Sequence, residues 1–484
     1  MNVRTRFAPS PTGRLHLGNI RAAVFNWLFA RRHDGAFVVR LEDTDVDRNV
    51  EGAEAQLLED LAWLGMDWDE GPDVGGPHGP YRQSERMKLY RAAGEKLWAA
   101  GQAYPCFCEE GEGEESDPAD PGFRRYSGRC RALSPAEARR RVDAGEPYVM
   151  RLAAPLQGAI EVVDEVRGAI SVPAEDIDDF VLLRADGRPT YNFAVVVDDV
   201  DMNITHVVRG SGHLSNTPKQ ALLFDAFAVP RPVFAHHAQI LSPEGGKLSK
   251  RSGARAVADY RAEGFLPEAL LNYLSLLGWS DPEGREVLTR EELIAAVSIE
   301  RLGASDALYD PEKLRWVGSQ HMARLSLDEI VAGVRPFLRA AGPPADGWSG
   351  EILESAVEAL RTRLSAFGDV VEHLHYFAPS DEARTVALAA VRQDESARTV
   401  IDAVGTAFAA LPDREWTPPG RQAAVRQAGP EHGRRGKCQE TPGPHAVTAP
   451  GPRPRLAPVQ DGNGAGGPAA PGAPGWPEGD AVFP

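Results

Sequence analysis

The sequence predicts an α/β fold: a parallel-sheet domain split by an insertion, followed by an all-helical domain and a disordered tail. Three observations predict it. Short apolar runs alternate with helix-period runs at the N-terminus, and that alternation lapses between residues 106 and 188 before returning. From about Pro267 only the helical period persists. Past Lys437 proline, glycine and alanine take over, a composition that cannot bury enough apolar surface to offset the entropy of ordering.

The elements follow in order. Val3 to Phe7 alternates like a short strand, and Pro9, Pro11 and Gly13 break it. Ile20 to Arg32 is a helix ending at Gly35. Phe37 to Leu41 is a second strand, with Glu42, Asp43 and Asp45 just past its end. Leu57, Leu58, Leu61 and Leu64 recur at helical spacing and stop at Gly65. Ser84 to Gly101 is a further helix. Strand–helix–strand–helix is the pattern of a parallel, Rossmann-like sheet. Cys106 to Asp186 reads as an insertion of short strands, with an acidic loop from Glu109 to Asp120. The sheet pattern returns with Val181-Leu-Leu, Ala194-Val-Val-Val and His206-Val-Val.

In the helical part, Thr289 with Glu292 and Ser326 with Glu329 have capping-box spacing, in which hydroxyl and carboxylate satisfy the free amides of a first turn. Leu353, Ala356, Leu360 and Leu364 form one apolar face. The expected boundaries are 1–105 and 189–324 for the two halves of the sheet domain, 106–188 for the insertion, 325–437 for the helical domain and 438–484 for the tail.

Composition narrows the setting. No apolar run reaches the roughly eighteen residues of a membrane span. Met1 to Arg6 lacks the apolar stretch of a signal peptide, so a cytoplasmic protein is expected. The net charge of −17 argues against broad, nonspecific nucleic-acid binding, though not against a local basic surface. Four cysteines are too few and too unevenly placed for a disulfide framework; three fall between Cys106 and Cys130, which raises the question of a metal, with three reduced thiols as the alternative.

Two segments suit phosphate chemistry. In Pro9-Ser10-Pro11-Thr12-Gly13-Arg14-Leu15-His16-Leu17-Gly18-Asn19, the glycines let backbone approach a ligand. The helix that begins there offers free amides and a favourable dipole, and His16 can donate to a phosphate. Lys247-Leu248-Ser249-Lys250-Arg251 follows the turn Glu244-Gly-Gly246 and concentrates three cations where the charge of a leaving pyrophosphate develops. Alone, a histidine in a glycine-rich turn is more often structural, and a short basic run is usually a solvated face. In this order, on an α/β pattern, the pair resembles the HIGH and KMSKS motifs of class I aminoacyl-tRNA synthetases.

The rest of the chain narrows the resemblance. Thr5-Arg-Phe-Ala-Pro-Ser-Pro-Thr12, Leu41-Glu-Asp-Thr-Asp45, Gly79-Pro-Tyr-Arg-Gln-Ser-Glu-Arg86, Pro189-Thr-Tyr-Asn-Phe-Ala194 and Ser215-Asn-Thr-Pro218 look like bacterial glutamyl-tRNA synthetases over roughly residues 1 to 435. Glutaminyl enzymes are similar but usually carry Pro-Glu-Pro-Asn where this chain has Pro9-Ser-Pro-Thr12.

The resemblance implies ATP-dependent joining of L-glutamate to tRNA(Glu), and in some members tRNA(Gln), through a glutamyl-adenylate. It implies a monomer using Mg2+ and, in some members, Zn2+. It assigns ATP to Pro9, Ser10, Thr12, Gly13, His16, Gly18, Asn19, Ser249, Lys250 and Arg251, with His16, Lys247 and Lys250 acting in catalysis. Glutamate falls to Arg6, Ser10, Glu42, Tyr191, Asn192 and Arg209: guanidiniums for two carboxylates, a carboxylate for the ammonium. Taken alone, Arg6 and Glu42 read equally well as a strand-end ion pair. Zinc falls to Cys106, Cys108, Tyr126 and Cys130, and the anticodon to Arg361 and Arg363.

This sequence departs from the family in several places. Ser211-Gly212 stands where two acidic residues are usual, Asn19 replaces a usual His or Gly, and Ala132 stands where many members have a zinc-binding His. After about Lys437 the family's helical sequence gives way to Thr441-Pro-Gly-Pro, as an altered reading frame in a GC-rich gene would produce. A glutaminyl enzyme or a non-catalytic RNA-binding relic of the same fold are the alternative readings.

Overall fold

The computed structural model describes residues 2–109, 114–116, 124–246, 248, 255–341, 350–373, 385, 389 and 392–412. Met1–Arg384 forms one compact unit and Thr385–Pro484 a second. In the second, the described helix is Glu395–Ala409. The tail from Lys437 lies outside the described residues.

In the first unit, strand β1 (Arg4–Phe7) leads to helix α1 (Leu17–Arg32), strand β2 (Ala36–Val39), helix α2 (Ala53–Trp63) and helix α3 (Met87–Ala99). Gly35 makes the sharp return from α1 to β2 possible, because a Cβ there would sit 2.3 Å from the Val3 carbonyl oxygen. Then come β3 (Ala103–Cys106), β4 (Glu114–Ser116), β5 (Arg124–Tyr126), α4 (Pro135–Asp143), β6 (Val149–Leu152), β7 (Ala159–Asp164), β8 (Gly168–Pro173) and β9 (Val181–Leu183). The chain continues through α5 (Tyr191–Asp201), β10 (His206–Gly210), α6 (Thr217–Ala226) and β11 (Val233–His237).

β1 pairs in parallel with β2, and β10 with β11. The Thr205 amide donates to the Arg4 carbonyl at 3.0 Å, setting β10 beside β1. Side chains alternate between two cores. Phe37, Val39, Val208 and Ala235 face one that holds α1 residues Phe25 and Leu28. Val38, Val207 and Phe234 face the other, with Phe193 and Val196 of α5 and Leu223 and Phe224 of α6. A parallel sheet covered by helices on both faces is the arrangement that buries such apolar strands.

Two sequence expectations change here. Ala194-Val-Val-Val belongs to α5, not to a strand. Residues Phe193 to Asp199 are all buried, so tertiary packing on every side overrides the β preference of a valine run. Val181–Leu183 is a strand, but it completes an antiparallel sheet in the order β3-β6-β9 and not the parallel one. The segment read as an insertion is also not separate throughout. Its strand β7 joins the parallel sheet beside β11, with Asp164 in register with Phe234.

Beyond the sheet lie α7 (Val257–Glu263), α8 (Pro267–Leu276), α9 (Arg290–Ala296), α10 (Pro311–Met322), α11 (Leu327–Ala341) and α12 (Gly350–Leu360). Both capping boxes form. The Thr289 amide donates to Glu292 Oε2 at 2.7 Å, and the Ser326 amide to Glu329 Oε2 at 2.8 Å. Leu353, Ala356, Leu360 and Leu364 are buried as their spacing requires.

Candidate active site

The site forms at the carboxyl ends of β1, β2, β10 and β11, where crevices open in parallel sheets. Arg6 is the penultimate residue of β1 and Arg209 that of β10. Glu42 lies just past β2, and Tyr191 opens α5. Glu42 is within electrostatic reach of Arg6 and of Arg209, and Tyr191 of all three. Four of the residues predicted to hold glutamate therefore converge. Asn192 is adjacent, its Oδ1 accepting from Gln220 Nε2 at 3.0 Å. Ser10 is exposed on the loop after β1.

A buried ion network supports them. Asp199 accepts from Arg6 Nε at 3.3 Å and from Arg40 Nη1 at 2.7 Å. Arg40, fully buried, also lies 3.6 Å from Asp198 and 3.4 Å from Glu42. Asp198 in turn accepts from Arg86, Gln83 and Tyr90. Burial pushes the Glu42 carboxyl up to about 7, against the pull of Arg40 and Arg6. Burial also lowers Arg209, to about 10. Desolvation favours the uncharged form of each, so both gain from a ligand of opposite charge.

Arg40, Asp198, Asp199 and Tyr90 carry no motif in the sequence, and Gln83 and Arg86 appear there only within the Gly79–Arg86 run, with no role attached. A signal was present: a charge flanked by strand apolars, as in Phe37-Val-Val-Arg40-Leu41, or following buried valines, as in Asp198-Asp199, is rarely buried unless paired.

The first phosphate motif forms a half-exposed loop, with Pro9, Pro11 and Leu15 buried and Ser10, Thr12 and Arg14 exposed. Pro9 and Pro11 carbonyls accept the Glu42 and Val50 amides, each at 2.9 Å, which pins the loop beside the amino-acid cluster. His16 is the residue preceding α1. Thr12, Gly18 and Asn19 are exposed, and a Cβ added at Gly13 or Gly18 would meet nothing within 4 Å. The helix N-terminus is therefore open to an anion.

Lys247, Ser249, Lys250 and Arg251 lie outside the described residues, but both flanks of their loop are placed. A turn closed by the Ser242 amide on the Gly246 carbonyl precedes it. After it, Ala256 bridges His16, and the Val257 amide donates to the Leu15 carbonyl at 3.1 Å. Arg14 reaches Asp259 at 2.6 Å. Ser211 opens a short 3-10 stretch, and His213 Nδ1 lies 3.0 Å from Tyr191 Oη.

The four predicted zinc residues also meet. The sulfurs of Cys106, Cys108 and Cys130 lie within 4.8 Å of one another. Tyr126 Oη sits 3.1 Å from Cys106 Sγ and 3.7 Å from Cys108 Sγ. Three thiols and a phenol in one partly buried cluster fit a tetrahedral metal. Farther off, Arg361 donates to the carbonyls of Ala323 and Leu325, whereas Arg363 is exposed.

Comparison with known proteins identifies the family. Residues 2–316 match the family of tRNA synthetases class I (E and Q), catalytic domain. A glutamate–tRNA ligase of Syntrophomonas wolfei is 47% identical over 384 residues, 78% of this chain and 76% of that protein. One from Symbiobacterium thermophilum is 41% identical over 453 residues, 90% and 91% of the two chains. The crystal structure of a glutamate tRNA ligase from Elizabethkingia meningosepticum, in complex with its amino acid, superposes with a TM-score of 0.76 at 32% identity, covering 88% of this chain and 90% of that one. A sheet with helices on both faces, charges gathered at its carboxyl ends and likeness along most of its length place this chain in the class I tRNA synthetase family of the E and Q type.

Proposed function

We propose that the chain is a glutamate–tRNA ligase, joining L-glutamate to the 3′ end of tRNA(Glu) through a glutamyl-adenylate and releasing AMP and diphosphate. The observation that carries this is the convergence of two buried guanidiniums, Arg6 and Arg209, with the carboxyl of Glu42. Free glutamate has two carboxylates and one ammonium, the complementary set. Glutamine offers one carboxylate fewer and would leave a buried guanidinium unmatched, which costs more than a mere missing contact. The relatives named above are glutamate–tRNA ligases, which favours this reading over a glutaminyl enzyme or a relic without activity.

In this reading Arg6 and Arg209 hold the carboxylates, Glu42 the ammonium, and Tyr191, Asn192 and Ser10 add neutral hydrogen bonds. The loop Pro9–Gly13, His16, and the α1 N-terminus at Gly18 and Asn19 receive ATP. Lys247, Ser249, Lys250 and Arg251 neutralise the departing pyrophosphate. No protein nucleophile is needed, because the substrate carboxylate itself attacks; positioning and charge stabilisation supply the rate. Bound Mg2+ would offset phosphate charge.

Cys106, Cys108, Cys130 and Tyr126 would hold a structural zinc in the 106–188 segment, which we assign to the acceptor end of tRNA. The region 325–437, with Arg363 and Arg361, is assigned to the anticodon. No helix among the described residues is long and apolar enough to cross a membrane. A cytoplasmic monomer fits these assignments.

The test is ATP–pyrophosphate exchange in the presence of tRNA(Glu). Arg6→Ala should reduce glutamate-dependent exchange by about a hundredfold, as loss of a charged hydrogen bond implies. Its fold should persist, because Asp199 keeps Arg40 at 2.7 Å. Full activity in that variant sinks the assignment. Substituting tRNA(Gln) in the same assay measures whether the second tRNA is also a partner.

A further inference from the structure

Arg209 is held by a chain of buried groups that reaches into the segment between the two halves of the sheet. Its Nε donates to His236 Nε2 at 2.9 Å, and its Nη2 to Thr217 Oγ1 at 3.0 Å. Its Nη1 is buried with no protein hydrogen-bond partner among the described residues, and so is left for a ligand. Because Nε2 of His236 accepts, the ring proton must sit on Nδ1, which lies 2.6 Å from Asp164 Oδ2. Asp164 is firmly anchored. Its Oδ1 accepts the backbone amides of Val166 at 3.0 Å, Arg167 at 2.8 Å and His236 at 3.3 Å. Both His236 and Asp164 are within 1% of full burial. Burial lowers the His236 pKa, keeping the ring neutral as the geometry requires.

We propose that Asp164 and His236 are positioning residues for glutamate recognition: the carboxylate fixes the histidine tautomer, and the histidine fixes the guanidinium of Arg209. A ring proton on Nε2 would point at the Arg209 N–H and turn the guanidinium away. Arg209 could not hold itself; a single acceptor on Nε and one on Nη2 set the plane in which its remaining nitrogen meets a carboxylate. Asp164 comes from β7, a strand supplied by the inserted segment, so that segment contributes to the amino-acid site as well as to any contact with tRNA.

The relay has this meaning only if Arg209 holds glutamate, as proposed above, and the experiment separates the two ideas. Steady-state aminoacylation is measured with glutamate and ATP varied in turn, beside thermal melting of each variant. His236→Leu removes the acceptor. Asp164→Asn should keep its oxygen on the backbone amides and turn its NH2 to His236, which forces the wrong tautomer. Both should raise the glutamate KM about tenfold, the expected cost of a misplaced charged hydrogen bond, with kcat and the ATP KM nearly unchanged. His236→Gln, whose side-chain oxygen can accept from Arg209, should restore most of the affinity. In an Arg209→Gln background, His236→Leu should add little.

If His236→Leu and Asp164→Asn leave the glutamate KM at the wild-type value, or if His236→Gln is as impaired as His236→Leu, the relay is overturned while the role of Arg209 stands. If the ATP KM rises in step with the glutamate KM, the residues serve the fold generally and the relay is likewise overturned. If Arg209→Gln itself leaves the glutamate KM unchanged, the assignment of Arg209 fails first.

Discussion

The amino-acid side and the phosphate side of the site are built in opposite ways. Arg6, Arg40 and Arg209 are buried together with Asp198 and Asp199, and Arg40 and Arg209 are each held by two or more partners. The phosphate loop, by contrast, is half-exposed, glycine-containing and tied down by backbone bonds at its edges and by the solvent-facing Arg14–Asp259 pair. Discrimination between amino acids that differ by one charge needs donors already in place before the substrate arrives. A triphosphate, as proposed, would meet backbone amides at the edge of this loop, and its products must leave, so a looser frame serves.

The contrast can be broken most severely at its most buried point. Asp199→Ala would leave Arg6 and Arg40 short of their shared carboxylate and should destabilise the first unit by about 3 kcal/mol or more. Urea unfolding reads the change; a loss under about 1 kcal/mol would mean that Asp198 and Glu42 carry the pairing unaided.

At the cysteine cluster the expected loss is smaller. Purified protein should carry zinc by elemental analysis, and Cys130→Ser should lose it and melt several degrees lower. A zinc-free wild type with an unaltered melt would remove the metal from the reading.

The pH dependence of glutamate binding sharpens the buried side. Glu42 titrates at about 7 in the fold against an ordinary 4.5. Between those values the folded state holds a proton that the unfolded state has lost. Raising the pH through this window therefore subtracts stability while charging the group proposed to meet the substrate ammonium. The glutamate KM should fall as pH rises toward and past about 7, then level off. In Glu42→Gln that slope should vanish.

The mildest change lies on the open side. Arg14→Ala removes an ion pair whose side chains are 50% and 35% exposed, and should cost about 0.5 kcal/mol or less. Its effect should appear as a small rise in ATP KM with the glutamate KM unmoved. A change in glutamate KM instead would mean that the two sides are not independent.

The same division explains what could be read in the sequence. The phosphate loops are contiguous, so Pro9 to Asn19 and Lys247 to Arg251 declare themselves by local spacing. The capping boxes at Thr289 and Ser326 are likewise local. The buried network is not: Arg40 and Asp199 are separated by 159 positions, and Asp164 and His236 by 72. No periodicity links such partners. The valines before Asp198 predict a strand because β-branched runs favour one; the burial of Phe193 to Asp199 in α5 makes them helical instead. Arg6, Glu42 and Arg209 were legible through the resemblance, and their convergence through the fold alone.

The place of β7 in the sheet bears on how this chain could be cut. The order β10-β11-β7-β8 makes residues 159–173 the outer border of a sheet whose other strands come from elsewhere in the sequence. Excising 106–188 as a self-contained module would strip β11 of its neighbour on one side, where Phe234 pairs with Asp164 and accepts the Glu165 amide at 2.9 Å, and leave β11 as a sheet edge open to edge-to-edge aggregation. A graft that moves this segment between relatives must carry its sheet border intact, or leave β7 and β8 behind with the recipient.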